Sequence, residues 1–312
     1  MVEKRDAKHP LVPKGPLVEE ITDMKTYLDC YSCFLRHGLE AARIAGLDEA
    51  QQKEVLDEIM NVLQTMAPEA TPPELAQVIH RRIREMNSGQ DPYKAIKKEQ
   101  NNLMLSIEKS LREEIEKSPE PLVAALKLAG ACNAIDMGPA RAWKTADELV
   151  EQLRHPNLDH FEASRLLEYL SKARKLLYIA DNAGEIVGDK ILLSFLKKET
   201  LLDVTVAVRG GPILNDATVE DAREIEIDRI AKVITTGSDA PGAILSLCSK
   251  GFVQDFYSAD VVIAKGQGNY EALEGCGKQK LFFLLQVKCP VVARDLRVEV
   301  GKVILRENRL EA

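Results

Sequence analysis

No stretch of this sequence stays apolar for the ~18 positions needed to cross a bilayer. The segment from Met1 to Glu20 mixes Lys, Arg, Asp, Glu and Pro without an apolar centre, so it does not read as a secretory signal. The expectation is a cytoplasmic protein with no membrane partner. Positive charge is not in excess either. The 42 Lys and Arg stand against 49 Asp and Glu, a net charge of −7, which leaves nothing over to neutralise a phosphate backbone and argues against a general nucleic-acid binder. A small anionic substrate remains compatible, because a metal ion or one lysine reverses a local field.

Sulfur and aromatics are scarce. Six cysteines are too few and too scattered for a secreted disulfide scaffold. Cys132, Cys248 and Cys289 lie in apolar surroundings and read as inert core residues, whereas Cys30 and Cys33 form the only C-x-x-C pair. The single tryptophan, Trp143, and the tyrosines read as packing groups rather than base-stacking platforms. Familiar signatures are missing as well. There is no G-x-x-x-x-G-K-[ST] loop, and Gly184 belongs to no G-x-G-x-x-G fingerprint. The histidines are His9, His37, His80, His155 and His160, so none reaches the later strand ends and a Ser-His-Asp hydrolase is disfavoured.

What is present divides by period. From about Asp23 to Arg154 apolar residues recur at helical spacing: Val55, Ile59, Val62, Leu63 and Met66 form one stripe, and Leu75, Val78, Ile79, Ile83 and Met86 another. Thr71-Pro72-Pro73-Glu74 supplies a helix start, and Asp91-Pro92 opens a helix from Lys94 to about Lys117. Beyond His155-Pro156-Asn157 the pattern predicts a helix over 158–173 and then β-branched runs at 175–180, 202–209, 232–236, 261–265 and 291–293, with 303–305 as a further candidate. Strands alternating with helices predict a mostly parallel sheet covered on both faces. The expected organisation is a helical domain over 1–155, with a polar lead-in, and an α/β domain over 156–312.

Four of these runs end in polar clusters. They are Asp181-Asn182-Ala183-Gly184-Glu185, Arg209-Gly210-Gly211-Pro212 with Asn215-Asp216, Thr235-Thr236-Gly237-Ser238-Asp239, and Lys265-Gly266-Gln267-Gly268-Asn269-Tyr270-Glu271. Parallel strands bring all four to one sheet edge, where open α/β sheets hold ligands. Asp and Asn are also ordinary helix caps and turn residues, and one such cluster alone decides nothing. Together, Asp181, Asn182 and Asp216 offer two carboxylates and an amide oxygen, a set suited to a hard divalent cation and too poor in thiolate and imidazole for zinc. Lys265 and Arg209 supply positive groups for phosphate oxygens, and the nearby glycines expose backbone N–H groups. Such a set suits phosphoryl chemistry.

These segments, with Gly130-Ala131-Cys132-Asn133-Ala134-Ile135-Asp136-Met137-Gly138, resemble the signature segments of the damage-control phosphatases, metal-dependent enzymes once grouped as domain of unknown function 89. The resemblance runs from about Met24 to Leu305. It implies a helical region on a Rossmann-like α/β domain, with Asp181, Asn182 and Asp216 as metal ligands and Lys265 as the phosphate clamp. Cys30-Tyr31-Ser32-Cys33 is similar to the C-x-x-C of the prokaryotic subgroup. Eukaryotic members carry an R-T-x-K segment, whereas here the lysine lies in a K-G-x-G-N context.

The expected activity is divalent-metal-dependent hydrolysis of phosphate monoesters of small metabolites. Mg²⁺ or Mn²⁺ is the expected cofactor, replaceable in vitro by Co²⁺ or Ni²⁺. Asp181, Lys265 and Arg209 are the expected catalytic residues, with water as nucleophile and Asp181 as its competitor. Asn133, Asp136, Gly184, Glu185, Asn215, Gly237, Asp239 and Asn269 are expected to meet the substrate. Two other readings stand beside it: a carboxyl methyltransferase using S-adenosylmethionine, which Arg209 at the end of the second strand disfavours, and a non-catalytic sensor of phosphorylated metabolites. Glu271 either positions Lys265 or serves the next helix as a dipole partner. Cys30, Cys33 and His37 share a helix face as a second metal site, a buried thiol pair or a redox pair. Oligomeric state is left open.

Overall fold

The computed structural model describes residues 24–135 and 146–308. Its first helices are α1 (Leu28–Ile44), α2 (Glu49–Thr65) and α3 (Pro72–Met86). Reciprocal capping boxes start the second and third, Asp48 with Gln51 and Thr71 with Glu74. They share a core of Ala41, Ala42, Val55, Ile59, Leu63, Leu75, Ile79 and Ile83. Val78 departs from the expected stripe and faces solvent.

Helices α4 (Lys94–Glu116), α5 (Pro121–Cys132) and α6 (Ala146–Arg154) join a different core. Met104, Ile107, Leu126, Ala129 and Leu149 pack with the sheet itself. A helical period shows that a face is buried, not which neighbour buries it.

The seven strands are β1 (Leu158–Phe161), β2 (Lys175–Ile179), β3 (Asp203–Val208), β4 (Lys232–Thr235), β5 (Val261–Lys265), β6 (Leu281–Gln286) and β7 (Val303–Glu307), in the order β1-β7-β6-β5-β2-β3-β4. The five from β2 to β6 are mutually parallel, β7 runs antiparallel to β6, and β1 pairs parallel with β7. The intervening helices are α7 (Ala163–Lys172), α8 (Glu185–Glu199), α9 (Val219–Glu224), α10 (Lys250–Ser258), α11 (Gly266–Leu273) and α12 (Pro290–Leu296).

Strand periodicity separates the two faces. Leu176, Tyr178, Val206, Ile263 and Leu284 pack with α4, α5 and α8. The alternate residues Leu177, Ile179, Ala207, Val262 and Phe283 pack with α10, α11 and α12. From β2 the chain proceeds outward through β3 and β4, then returns to place β5 on the other side of β2. The crevice between the ends of β2 and β5 is therefore a topological switch point.

Three expectations are corrected. Val291–Ala293 is helical within α12: Pro290 occupies its first turn and the Cys289 sulfur accepts the Val292 N–H. Leu281–Gln286 is a central strand not anticipated because its Leu and Phe run has no β-branched residue. Leu158–Phe161 is an edge strand, so the helix expected from Leu158 begins only at Ala163.

Candidate active site

β2 ends at Ile179, and Ala180 through Gly184 turn the chain into α8. Gly184 makes that turn with φ +74°, a conformation that disfavours a β-carbon. Its N–H donates to Asn101 Oδ1 of α4 at 2.7 Å. The loop after β3 folds back alongside. Ala217 N donates to the Asp181 carbonyl at 2.7 Å, Ala183 N to the Asn215 carbonyl at 2.8 Å, and Asn182 and Asp216 form an isolated antiparallel bridge. Backbone pairing between two loops thus brings Asp181, Asn182 and Asp216 together.

Arg209 lies beneath these carboxylates, almost wholly buried. Its Nε donates to Asp216 Oδ2 at 2.5 Å, one Nη to Asp181 Oδ1 at 3.3 Å and the other to Asn269 Oδ1 at 3.0 Å. Lys265 is fully buried, and its Nζ donates to Glu185 Oε1 at 2.6 Å, Asp189 Oδ1 at 2.7 Å and the Ala129 carbonyl at 2.8 Å. Those partners take all of the ammonium's donors. Two amides join the layers. Asn182 Nδ2 donates to Asp181 Oδ2 at 2.8 Å and Glu185 Oε2 at 2.9 Å, and Asn133 Nδ2 to the same oxygens at 3.1 and 2.8 Å.

Among the described residues the buried charges of this site are unequal in number. Asp181, Glu185, Asp189 and Asp216 are buried beside two buried cations, Arg209 and Lys265. Burial, Asp216 and Glu185 push Asp181 well above the usual carboxylate range. Burial also raises Asp189, to about 6. Burial opposes the charge of Glu185 too, yet Lys265, Lys288 and the amide of Asn133 hold it below its ordinary value. Asp216 and Asp181 keep Arg209 charged against the effect of burial.

This arrangement fits a divalent cation. The donors at the outer layer are hard oxygens, and among the described residues no hydrogen bond is donated to the side-chain Oδ1 of Asn182. Gly266 keeps the place clear: its φ is +76°, and a β-carbon there would collide with the Asp181 carboxylate. The cost of charging Asp181 in a buried place beside Asp216 and Glu185 is the kind that a bound cation would offset.

The other expected residues fall into distinct places. Asn269 is fully buried: its Oδ1 accepts from Arg209 and from Ala243 N, and its Nδ2 donates to the carbonyls of Lys265 and Ala180. It locks the ends of β2 and β5 together. Among the described residues Asn215 Nδ2 is buried without a partner. Gly237 turns the chain after β4 with φ +78°. The Asp239 carboxylate is held by Gln77, Arg81 and Arg84 of α3, which ties the three-helix unit to this sheet edge. Glu271 pairs with Gln267 within α11, and the Lys265 ammonium bonds to Ala129, Glu185 and Asp189 instead. Asp136 lies outside the described residues. Among the described residues no three His, Cys, Asp or Glu side chains are grouped to hold a metal, Cys30, Cys33 and His37 included. The candidate cation site is two carboxylates with an amide.

Three contributors were not anticipated. Asp189 stands one helical turn after Glu185 on α8, and that i, i+4 acidic pair in an apolar helix was a readable signal. Half-buried Lys288 follows the unanticipated β6, and its charge lowers the proton affinity of both Asp181 and Glu185. Asn101 bridges the Gly184 N–H to Asp221, which Lys97 and Thr218 also hold. No local pattern marks it.

Comparison with known proteins follows the same lines. Residues 26–304 match the family described as Damage-control phosphatase ARMT1-like domain. An uncharacterized protein of Methanocaldococcus jannaschii is 37% identical over 289 residues, covering 89% of this chain and 93% of its own. A damage-control phosphatase of Archaeoglobus fulgidus is 32% identical, covering 89% and 97%. A crystal structure of a DUF89 family protein from Pyrococcus horikoshii superposes with a TM-score of 0.81 at 29% identity, over 92% of this chain and 100% of that one.

Proposed function

The chain belongs to the damage-control phosphatase ARMT1-like family, and from that premise we propose that it hydrolyses phosphate monoesters of small metabolites at the switch point between β2 and β5. Sugar phosphates, nucleotides and cofactor-related phosphates are the substrate class. The observation that carries the reading is the bridge between Asn182 and Asp216, which sets two carboxylates and an amide oxygen over one buried guanidinium.

Asp181, Asn182 and Asp216 would hold Mg²⁺ or Mn²⁺, which when bound supplies Lewis-acid polarisation of a phosphoryl oxygen and activation of water. Arg209 aims the two carboxylates. Lys265 fixes Glu185 and Asp189 from below and works as a positioning residue, because its donors are all occupied. Lys288 supplies positive charge for phosphate oxygens. Both Asp181 oxygens already accept hydrogen bonds, Oδ1 from Arg209 and Oδ2 from Asn133 and Asn182, which favours water over Asp181 as nucleophile. Arg209, locked in ion pairs at the end of β3, leaves no acidic group there for a ribose, which weighs against methyl transfer.

The test is release of inorganic phosphate from an aryl phosphate and a panel of phosphorylated metabolites, with Mn²⁺ and after chelation. Hydrolysis that needs the cation is expected. Binding of a phosphorylated metabolite without any release would favour the sensor reading and sink this one.

A further inference from the structure

The C-x-x-C pair is not used by the cation site. Cys30 lies in the first turn of α1 and Cys33 three residues on. On an α-helix that spacing puts the Cα atoms about 5 Å apart, within the roughly 4.4–6.8 Å that a disulfide spans. Both thiols are free and half-buried, neither sealed in the core nor fully exposed.

Their surroundings differ. His37, one turn beyond Cys33, and Arg36 beside it hold Cys33 below the ordinary thiol range. The Arg36 guanidinium lies 3.3 Å from the His37 ring nitrogen. Cys30 packs against the core beneath α11 and α12, where burial pushes it up to about 11. An Asp29–Arg294 ion pair at 2.9 Å holds this turn against α12. Cys289 is near Cys30, but its sulfur already accepts from Gln267 Nε2 at 3.4 Å and from Val292 N at 3.5 Å as the helix cap.

We propose that Cys30 and Cys33 form a thiol–disulfide exchange site on α1, with Cys33 attacking, Cys30 resolving and a small organic disulfide as oxidant. Cys33 passes its proton to His37, and the thiolate attacks one sulfur of the disulfide. One thiolate leaves and takes up that proton, and a mixed disulfide remains on Cys33. Cys30 then attacks the Cys33 sulfur, loses its proton, and expels the second thiolate, which is protonated in turn. Two protein thiols are oxidised to one disulfide and one organic disulfide is reduced to two thiols.

The experiment uses the full chain, reduced and freed of metal by chelation, mixed with hydroxyethyl disulfide, quenched in acid and mapped by mass spectrometry. The expected product is a Cys30–Cys33 bond. Cys30→Ser should stop at a mixed disulfide on Cys33, and His37→Ala should slow the first step by about tenfold. A bond to Cys289, equal attack by Cys30 in a Cys33→Ser variant, or thiols that react only after unfolding in urea would overturn the proposal. So would a zinc ion retained by untreated protein that shields both thiols. Phosphate release is not part of the readout, so the outcome is independent of the phosphatase reading.

Discussion

Lys265 and Glu185 form an ion pair of 2.6 Å in which neither side chain is exposed to solvent. A pair so buried contributes little net stability by itself, but removing one partner strands the other. Lys265→Met should therefore act on the fold, leaving Glu185 and Asp189 uncompensated. A loss of about 3–5 kcal/mol in urea unfolding is expected. A variant of unchanged stability that merely binds phosphate less well would instead support a direct phosphate-clamp role.

Asp216→Asn keeps the volume of the side chain and removes one of the two candidate carboxylate ligands. Mn²⁺ affinity should fall by more than about 100-fold, with far-ultraviolet circular dichroism unchanged. Titration calorimetry decides it, and undiminished affinity would remove Asp216 from the site.

Lys288→Ala should behave differently from Lys265→Met. Loss of one electrostatic donor is expected to cost about 3 kcal/mol in kcat/KM. Because phosphate is charged before the reaction as well as during it, KM should rise while kcat falls. The melting temperature should stay near that of the parent, since Lys288 is only half-buried.

Asn101 sits on α4, yet its side-chain Oδ1 accepts the Gly184 N–H and its Nδ2 donates to Asp221 at 3.1 Å. Asn101→Leu should leave both groups without that partner, at a cost of about 1–3 kcal/mol. It should also loosen the turn that carries Asp181 and Asn182. Weaker Mn²⁺ binding in a folded variant would report that coupling, and unchanged Mn²⁺ affinity would refute it.

Asp239 gives a pH test. Burial opposes its charge, but Arg81, Arg84 and Gln77 hold it well below the usual carboxylate range. Its folded affinity for protons is thus lower than its unfolded one. The contribution is present above the unfolded value of about 3.9 and is lost as pH falls through the lower folded value. The melting-temperature gap between the protein and Asp239→Asn should be full near neutrality and close in acid. A gap that does not change with pH would refute the ionic account.

Much of the site was legible because parallel strands end on one edge, so polar clusters after successive runs must converge. Asp181, Asn182 and Asp216 could be singled out on that ground. The fate of Lys265 could not. It continues the parity of Val261 and Ile263, whose side chains enter the face covered by α5 and α8. The lysine therefore points down to Ala129, Glu185 and Asp189, and not over the edge. Composition identifies a lysine at a strand end, but only packing decides which helix meets that face.

The sequence by itself determined the change from helical to strand period, the sheet edge on which the polar clusters gather, and the oxygen-rich character of the candidate donors. Those follow from local periodicity and residue chemistry, which act over a few positions. Tertiary structure decided which charges neutralise one another. Lys265 meets Glu185 across 80 residues and Asn133 reaches Asp181 across 48. Pairings of that kind depend on the order of strands and the seating of helices, which no short window of sequence contains.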